Sequence, residues 1–363
     1  MFVDRASIVA IFMVATLVAT PAGAAAGVDR VEDTTTRLDV LARQADANTV
    51  WRDALHTAIE PDPDCDDATP FVQWIRSQVA SLAPATLDVI ATYGVFDWPY
   101  LWTLGGDQDA TDEHLGVDGE YTQELQRRHR ENRRFWAVST DDVVLQGMHG
   151  EVVADDTKMV PLVEFVVGAD HATAQAIVDV VQATIDADPA IDYDHPILTL
   201  NAFAFSGEIP GLGPIPDKIV IGDGVLAGLE AIGLGDVAPG FVHAHEFAHH
   251  VQHEVGVLGG DIPSPEATRR VELMADALGA YEVAHVRGAT FRTKRLVGAI
   301  AIAFNNGDCG FESDNHHGTP EQRAHAVEWG VRVATADTPR ATVMPPADLV
   351  DRFDAALPDL LGD

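Results

Sequence analysis

His245-Glu246-Phe247-Ala248-His249 decides how this chain is read. The stretch lies in a segment of helical periodicity, and residues four apart on a helix share one face, so the two imidazoles can hold one metal ion together. Glu246 sits beside them, where a carboxylate reaches water at that metal. Two histidines leave zinc short of a protein ligand. Glu272, in Glu272-Leu273-Met274-Ala275-Asp276 on the next helical segment, is the expected third. Asp276, four residues on and on the same face, is expected to accept a hydrogen bond from the non-ligating nitrogen of one histidine and to fix its tautomer. A fourth position left to water marks a catalytic rather than a structural site, with one Zn2+ per chain.

Helix boundaries support this placement. Ala238-Pro239 suits a first turn and Gly256 an end, with Phe241, Ala244, Ala248, Val251 and Val255 as a buried stripe beside the two ligands. Ser264-Pro265-Glu266 reads as a capped start for the helix of Glu272. HExxH also occurs on ordinary helices that hold no metal; the ExxxD partner on a following helix makes the reading specific. His243, His250 and His253 read as packing or surface histidines, and Gln252 as structural. Thr319 caps a last helix, with Pro320 first and Gln322 closing a capping box. His317, in the loop before it, is a candidate donor to an oxyanion, with Tyr281 a weaker one.

The expected fold class is α+β and mostly α-helical, with a small sheet beside the active-site helix. Residues 1–26 read as a signal peptide: Arg5, an apolar run from Ala6 to Thr20, then Pro21-Ala22-Gly23-Ala24-Ala25-Ala26. The expected location is secreted or extracytoplasmic, with an uncleaved anchor as the alternative. Residues 27–135 form a helical region of unassigned role. Within it, helices are expected over Phe71–Leu82, Ala85–Tyr93 and Tyr121–Arg134. A catalytic domain follows over 136–335 and a tail over 336–363. Phe135–Val138, Val143–Leu145 and Leu162–Val167 look like short strands, Ala172–Ala187 like an amphipathic helix. Leu198–Phe205 and Lys218–Ile221 look like two strands around a Gly/Pro loop.

Charge narrows the partners. The formal net charge is −34 and only three lysines occur, Lys158, Lys218 and Lys294. Such a surface repels nucleic acid and anionic membranes and suits a salty exterior. The arginines of 127–134 therefore read as a solvated or ion-paired helix face. Cys65 and Cys309 match no metal motif, and after export a disulfide between them is the preferred expectation.

HEFAHHVQ (His245–Gln252), ELMAD (Glu272–Asp276) and HGTPEQR (His317–Arg323) occur in this order and resemble the bacterial neutral zinc metallopeptidase family. The resemblance covers about 190–335. It implies a zincin-like domain of gluzincin type in which His245, His249 and Glu272 bind zinc and Glu246 is the catalytic carboxylate. Ala248, Met274 and Pro320 depart from the family's glycine, glutamine and serine without removing a ligand. Asn201-Ala202-Phe203-Ala204 is also similar to the NAFA strand of prenyl-protease-type gluzincins, although their membrane helices are absent from this sequence. It is the candidate strand for pairing with an extended peptide. The expectation is thus a secreted zinc metalloendopeptidase acting on peptide or protein substrates. Two alternatives stand: a catalytically silent zinc-fold scaffold, and a latent protease held off by its N-terminal region.

Overall fold

A computed structural model describes residues 68–106, 114–209, 213–258, 264–311, 313, 315–337 and 342–361. The signal-peptide reading of 1–26, the first part of the 27–135 helical region, up to residue 67, and Cys65 lie outside the described residues. Twelve α-helices and one three-stranded sheet are present among those described, so the architecture is α+β and mostly helical.

The N-terminal helices are α1 (Pro70–Ser81), α2 (Pro84–Tyr93), the single turn α3 (Trp98–Leu101) and α4 (Thr122–Phe135). Proline opens α1 and α2 at positions where its missing N–H costs nothing, and the Thr69 side chain caps α1 by accepting from Val72 N. Strand β1 (Val144–Met148) follows, then α5 (Asp156–Val167) and α6 (His171–Ala187). Leu162–Val167 is therefore helix, not strand. Asp155 caps α5 through Thr157 N, and Met159, Val160, Val163 and Val166 bury one helical face. The β-branched run imitates a strand, but its burial repeats every three to four residues. Phe135–Val138 is not a strand either: Phe135 closes α4 and the next residues bend away.

Strands β2 (Ala202–Ile209) and β3 (Gly213–Gly222) make the hairpin; Pro196–Thr199 forms a 3-10 turn ahead of it, so Leu198 and Thr199 are not part of the strand. The sheet order is β1-β3-β2, with β1 parallel to β3 in the register Val144↔Lys218 and β2 antiparallel in the register Ala202↔Ile221. Alternation sorts the sheet's two faces. Ile219, Ile221 and Ala202 join the main core, while Val220, Phe203 and Phe205 join a smaller cluster with Tyr100, Leu101 and Val166.

The remaining helices are α7 (Asp223–Ala231), α8 (Ala238–Glu254), α9 (Pro265–Ala284), α10 (Thr293–Asn305), α11 (Pro320–Asp337) and α12 (Pro346–Leu361). Every residue of α8 from Ala238 to Gln252 is buried. The one-sided stripe expected of it is thus too modest. α4, α9, α10 and the strands β2 and β3 surround this helix, which is the pattern of a central core helix. Close approach depends on small residues. A Cβ on Gly279 of α9 would lie 3.0 Å from the backbone of Ala244 and His245, and one on Gly330 of α11 would collide with the Ala277 carbonyl of α9.

One apolar cluster runs from Phe71 to Leu360. The N-terminal helices contribute to it: α4 packs on α8, where His129 Nδ1 lies 3.2 Å from His243 Nε2. His129 Nε2 faces the Val143 carbonyl, which only accepts, so His129 carries its proton there. Burial pushes the His129 pKa down to about 4, keeping this histidine pair neutral. Cys309 is disulfide-bonded. No helix among the described residues is long and apolar enough to cross a membrane.

Candidate metal centre

α8 presents His245 and His249 one turn apart, and α9 runs alongside with Glu272 facing them. All three are buried. The nitrogens His245 Nε2 and His249 Nε2 lie 3.2 Å apart; Glu272 Oε2 lies 3.4 Å from the first and Glu272 Oε1 3.4 Å from the second.

Groups behind the histidines set their tautomers. His245 Nδ1 lies 3.0 Å from Asp276 Oδ1, a carboxylate that favours a proton on Nδ1. His249 Nδ1 lies 2.8 Å from Gln252 Oε1. The Gln252 amide is oriented by its own Nε2, which donates to the Val271 carbonyl at 2.7 Å, so its oxygen must face His249. The Asp276 carboxylate and the Gln252 oxygen thus favour a proton on each Nδ1, which turns each Nε2 toward Glu272. Two imidazoles and a carboxylate therefore face one another in a buried pocket, and each could offer one ligand atom to a metal ion.

Ligand atoms about 2.0–2.1 Å from a tetrahedral zinc are about 3.3–3.4 Å from one another. The two histidine nitrogens stand at about that spacing and one oxygen of the Glu272 carboxylate faces each of them, so the residues present could hold a metal ion.

Electrostatics agree with the geometry. Burial opposes charge on His245, but Asp276 and Glu272 outweigh it and push its pKa up to about 10. Burial pushes His249 down to about 4. Burial would also raise the Glu272 carboxyl, yet His249, His317 and His245 hold it well below the usual carboxylate range. The metal-free cluster is a pocket of negative potential able to keep one extra positive charge.

Arg323 completes the support. Its Nε and one terminal nitrogen donate to the two oxygens of Asp276 at 2.7 and 3.0 Å, a bidentate pair buried beneath the ligands. Its other terminal nitrogen donates to the Asn306 carbonyl at 3.1 Å. The chain is continuous: Arg323 fixes Asp276, Asp276 orients His245, and His245 faces the centre. The Thr319–Gln322 capping box forms as its residues suggest, with Thr319 N to Gln322 Oε1 at 3.2 Å and Gln322 N to Thr319 Oγ1 at 3.3 Å. That box starts α11 at the register that buries Arg323.

Glu246 lines a cavity of about 40 Å3 together with His245, Asp276 and Arg323, walled by Val225 and Leu229 of α7 and by Ile302, Ala303 and Asn306 around α10. Such a volume has room for water. His317 is buried near Glu272. Asp308 grips it twice, accepting from its backbone N at 2.7 Å and lying 3.1 Å from Nδ1, while the other Asp308 oxygen takes His316 Nδ1 at 2.6 Å. Asn201, Ala202 and Phe203 are buried at the start of β2, which is an edge of the sheet, and Ala202 borders the cavity. The Tyr281 hydroxyl is occupied on another face of α9, accepting from Met344 N at 2.9 Å.

Sequence reading missed three participants. Gln252 is an orienting group and not merely structural; its position three residues after His249 on the same helix was the available signal. Arg323 was visible only as a motif letter. Asp308 has no motif, and only the folded loop brings it to His316 and His317. Comparison with known proteins yields no matching family model, no matching curated protein and no matching solved structure.

Proposed function

We propose that this chain is a zinc-dependent hydrolase of peptide bonds, with zinc held by His245, His249 and Glu272. The observation that carries the reading is the meeting of three buried side chains, His245, His249 and Glu272, that can each offer one ligand atom, with Glu246 and His245 lining a water-sized cavity. Bound zinc supplies Lewis acidity and makes water a nucleophile near neutral pH. Glu246 would act as the general base toward the attacking water and would return the proton to the leaving amine. Asp276 and Gln252 orient the two imidazoles with Nε2 toward the metal position, and His317, held by Asp308, offers a hydrogen bond to the developing oxyanion. The start of β2 supplies an edge along which an extended peptide pairs.

Glu246→Gln tests this directly. The variant keeps about one zinc per chain while peptide turnover falls by at least about 100-fold, the loss expected of a missing general base. Undiminished turnover would remove the mechanism.

One observation favours a latent form of the same enzyme. Peptide-sized ligand sites span about 300–1,000 Å3, far above the cavity beside Glu246. The cavity's walls, α7 and α10, are both clamped by α1: Thr69 Oγ1 donates to the Asn305 carbonyl at 3.0 Å, and Phe71 N to Asn305 Oδ1 at 3.0 Å. Phe71 and Trp74 also press on Gly228 of α7. In this reading the N-terminal helices hold the walls together and substrate enters when they part.

A further inference from the structure

His250 follows His249 on α8 but is turned about 100° around the helix, away from α9 and toward β3. Glu254 lies one turn further along the same side of α8, and Asp217 projects from β3. These three offer ligand atoms that all lie within 4.8 Å of one another. His250 is buried, Asp217 half-buried and Glu254 exposed, so the cluster opens to solvent on one side only.

The state of His250 follows from its partners. Its Nε2 lies 2.8 Å from the Ser139 carbonyl, which can only accept, so Nε2 carries the hydrogen. Nδ1 is completely buried and makes no well-formed hydrogen bond. It faces Asp217 Oδ2 at 3.1 Å, an oxygen already accepting from Ser206 Oγ at 2.9 Å. This ring nitrogen, the Asp217 carboxylate and the Glu254 carboxylate meet at one place, so the cluster carries two negative charges around one imidazole. A divalent cation offsets both, and 3.1 Å fits the separation of about 3.0–3.4 Å between neighbouring ligands of a six- or four-coordinate ion.

We propose that Asp217, His250 and Glu254 form a second divalent-cation site, separate from the centre at His245, His249 and Glu272. One imidazole and two carboxylates suit a borderline ion such as zinc or manganese rather than a thiophilic one. The site ties the end of α8 to β3, and thereby holds the helix that carries His245 and His249 against the sheet. Its solvent-facing carboxylate makes it the more exchangeable of the two sites. It does not depend on the chemistry proposed for the first.

Calorimetric titration of the metal-stripped full chain with zinc, with metal content measured afterwards, tests the inference. The expected result is about two zinc ions per chain, bound in a tighter and a weaker step. Glu254→Gln, an exposed change that spares the fold, should abolish the weaker step, as should Asp217→Asn. Glu272→Gln should instead abolish the tighter one. A single step that Glu272→Gln removes and Glu254→Gln leaves intact would overturn the second site while sparing the proposed enzyme. A single step lost only in Glu254→Gln would do the reverse.

Discussion

At the scale of single residues, the centre is built from groups oriented by what lies behind them. Asp276 and Gln252 do the same task for different histidines by different chemistry, and substitution separates them. Gln252→Ala releases His249 from its orienting oxygen but leaves no charge stranded. Zinc affinity should fall about 10- to 100-fold, as for the loss of other orienting partners, with a modest stability loss. Asp276→Ala removes the orientation of His245 and also strands Arg323 in the core. It should weaken zinc similarly and cost about 3–5 kcal/mol of stability, the usual penalty for breaking a buried ion pair from one side. Chelator competition and chemical denaturation of both variants check the contrast. Equal stability losses would show that the Arg323–Asp276 pair is not buried as described.

At the scale of elements, the centre exists because α8, α9 and α11 lie close enough for their side chains to meet. Gly330 is the tightest point, since its Cα faces the Ala277 carbonyl of α9. Gly330→Ala should push α11 outward, costing about 1–3 kcal/mol as overpacking does, and draw Arg323 away from Asp276. Lower stability accompanied by weaker zinc binding is the expected pair of results; unchanged zinc affinity would show that α11 does not set the position of Asp276. The α1 clamp belongs to the same scale. Asn305→Ala deletes the hydrogen bond from Phe71 N, worth about 1 kcal/mol net. If α1 holds the walls of the cavity together, peptide turnover in this variant should rise above the parent's. A fall in turnover with zinc retained would count against latency.

For the whole molecule, the contiguous core from Phe71 to Leu360 makes buried charge a global matter. Glu282 of α9 is completely buried, and burial, only partly offset by Arg128, pushes its pKa up to about 8. Its folded pKa thus exceeds that of the unfolded chain, so the folded state binds the additional proton. Stability from this group is greatest below about pH 4.5, the ordinary carboxyl range, and declines as pH rises toward 8. Glu282→Gln should raise Tm by a few degrees at pH 8 and change it little at pH 4.5, as read by calorimetry across that range. An equal effect at both ends would mean that Glu282 is not titrating between them.

Much of this protein was determined by its sequence alone. The HExxH spacing, Glu272 with Asp276 one turn on, the Ser264 and Thr319 caps and the proline starts all follow from helical periodicity and local hydrogen bonding, which act over a few residues. Other features required the tertiary structure. Leu162–Val167 is helical because the cap at Asp155 and one buried face override β-branched composition. α8 is buried all round because its neighbours come from distant parts of the chain. Gln252 could be seen beside His249, but its amide orientation is set by Val271 of another helix. Arg323 and Asp276, 47 residues apart, and Asp217 of β3 and His250 of α8 meet only after the chain has folded. Sequence periodicity describes which residues share a face; the choice of what that face meets is made by packing, and packing oriented the side chains of the candidate metal centre.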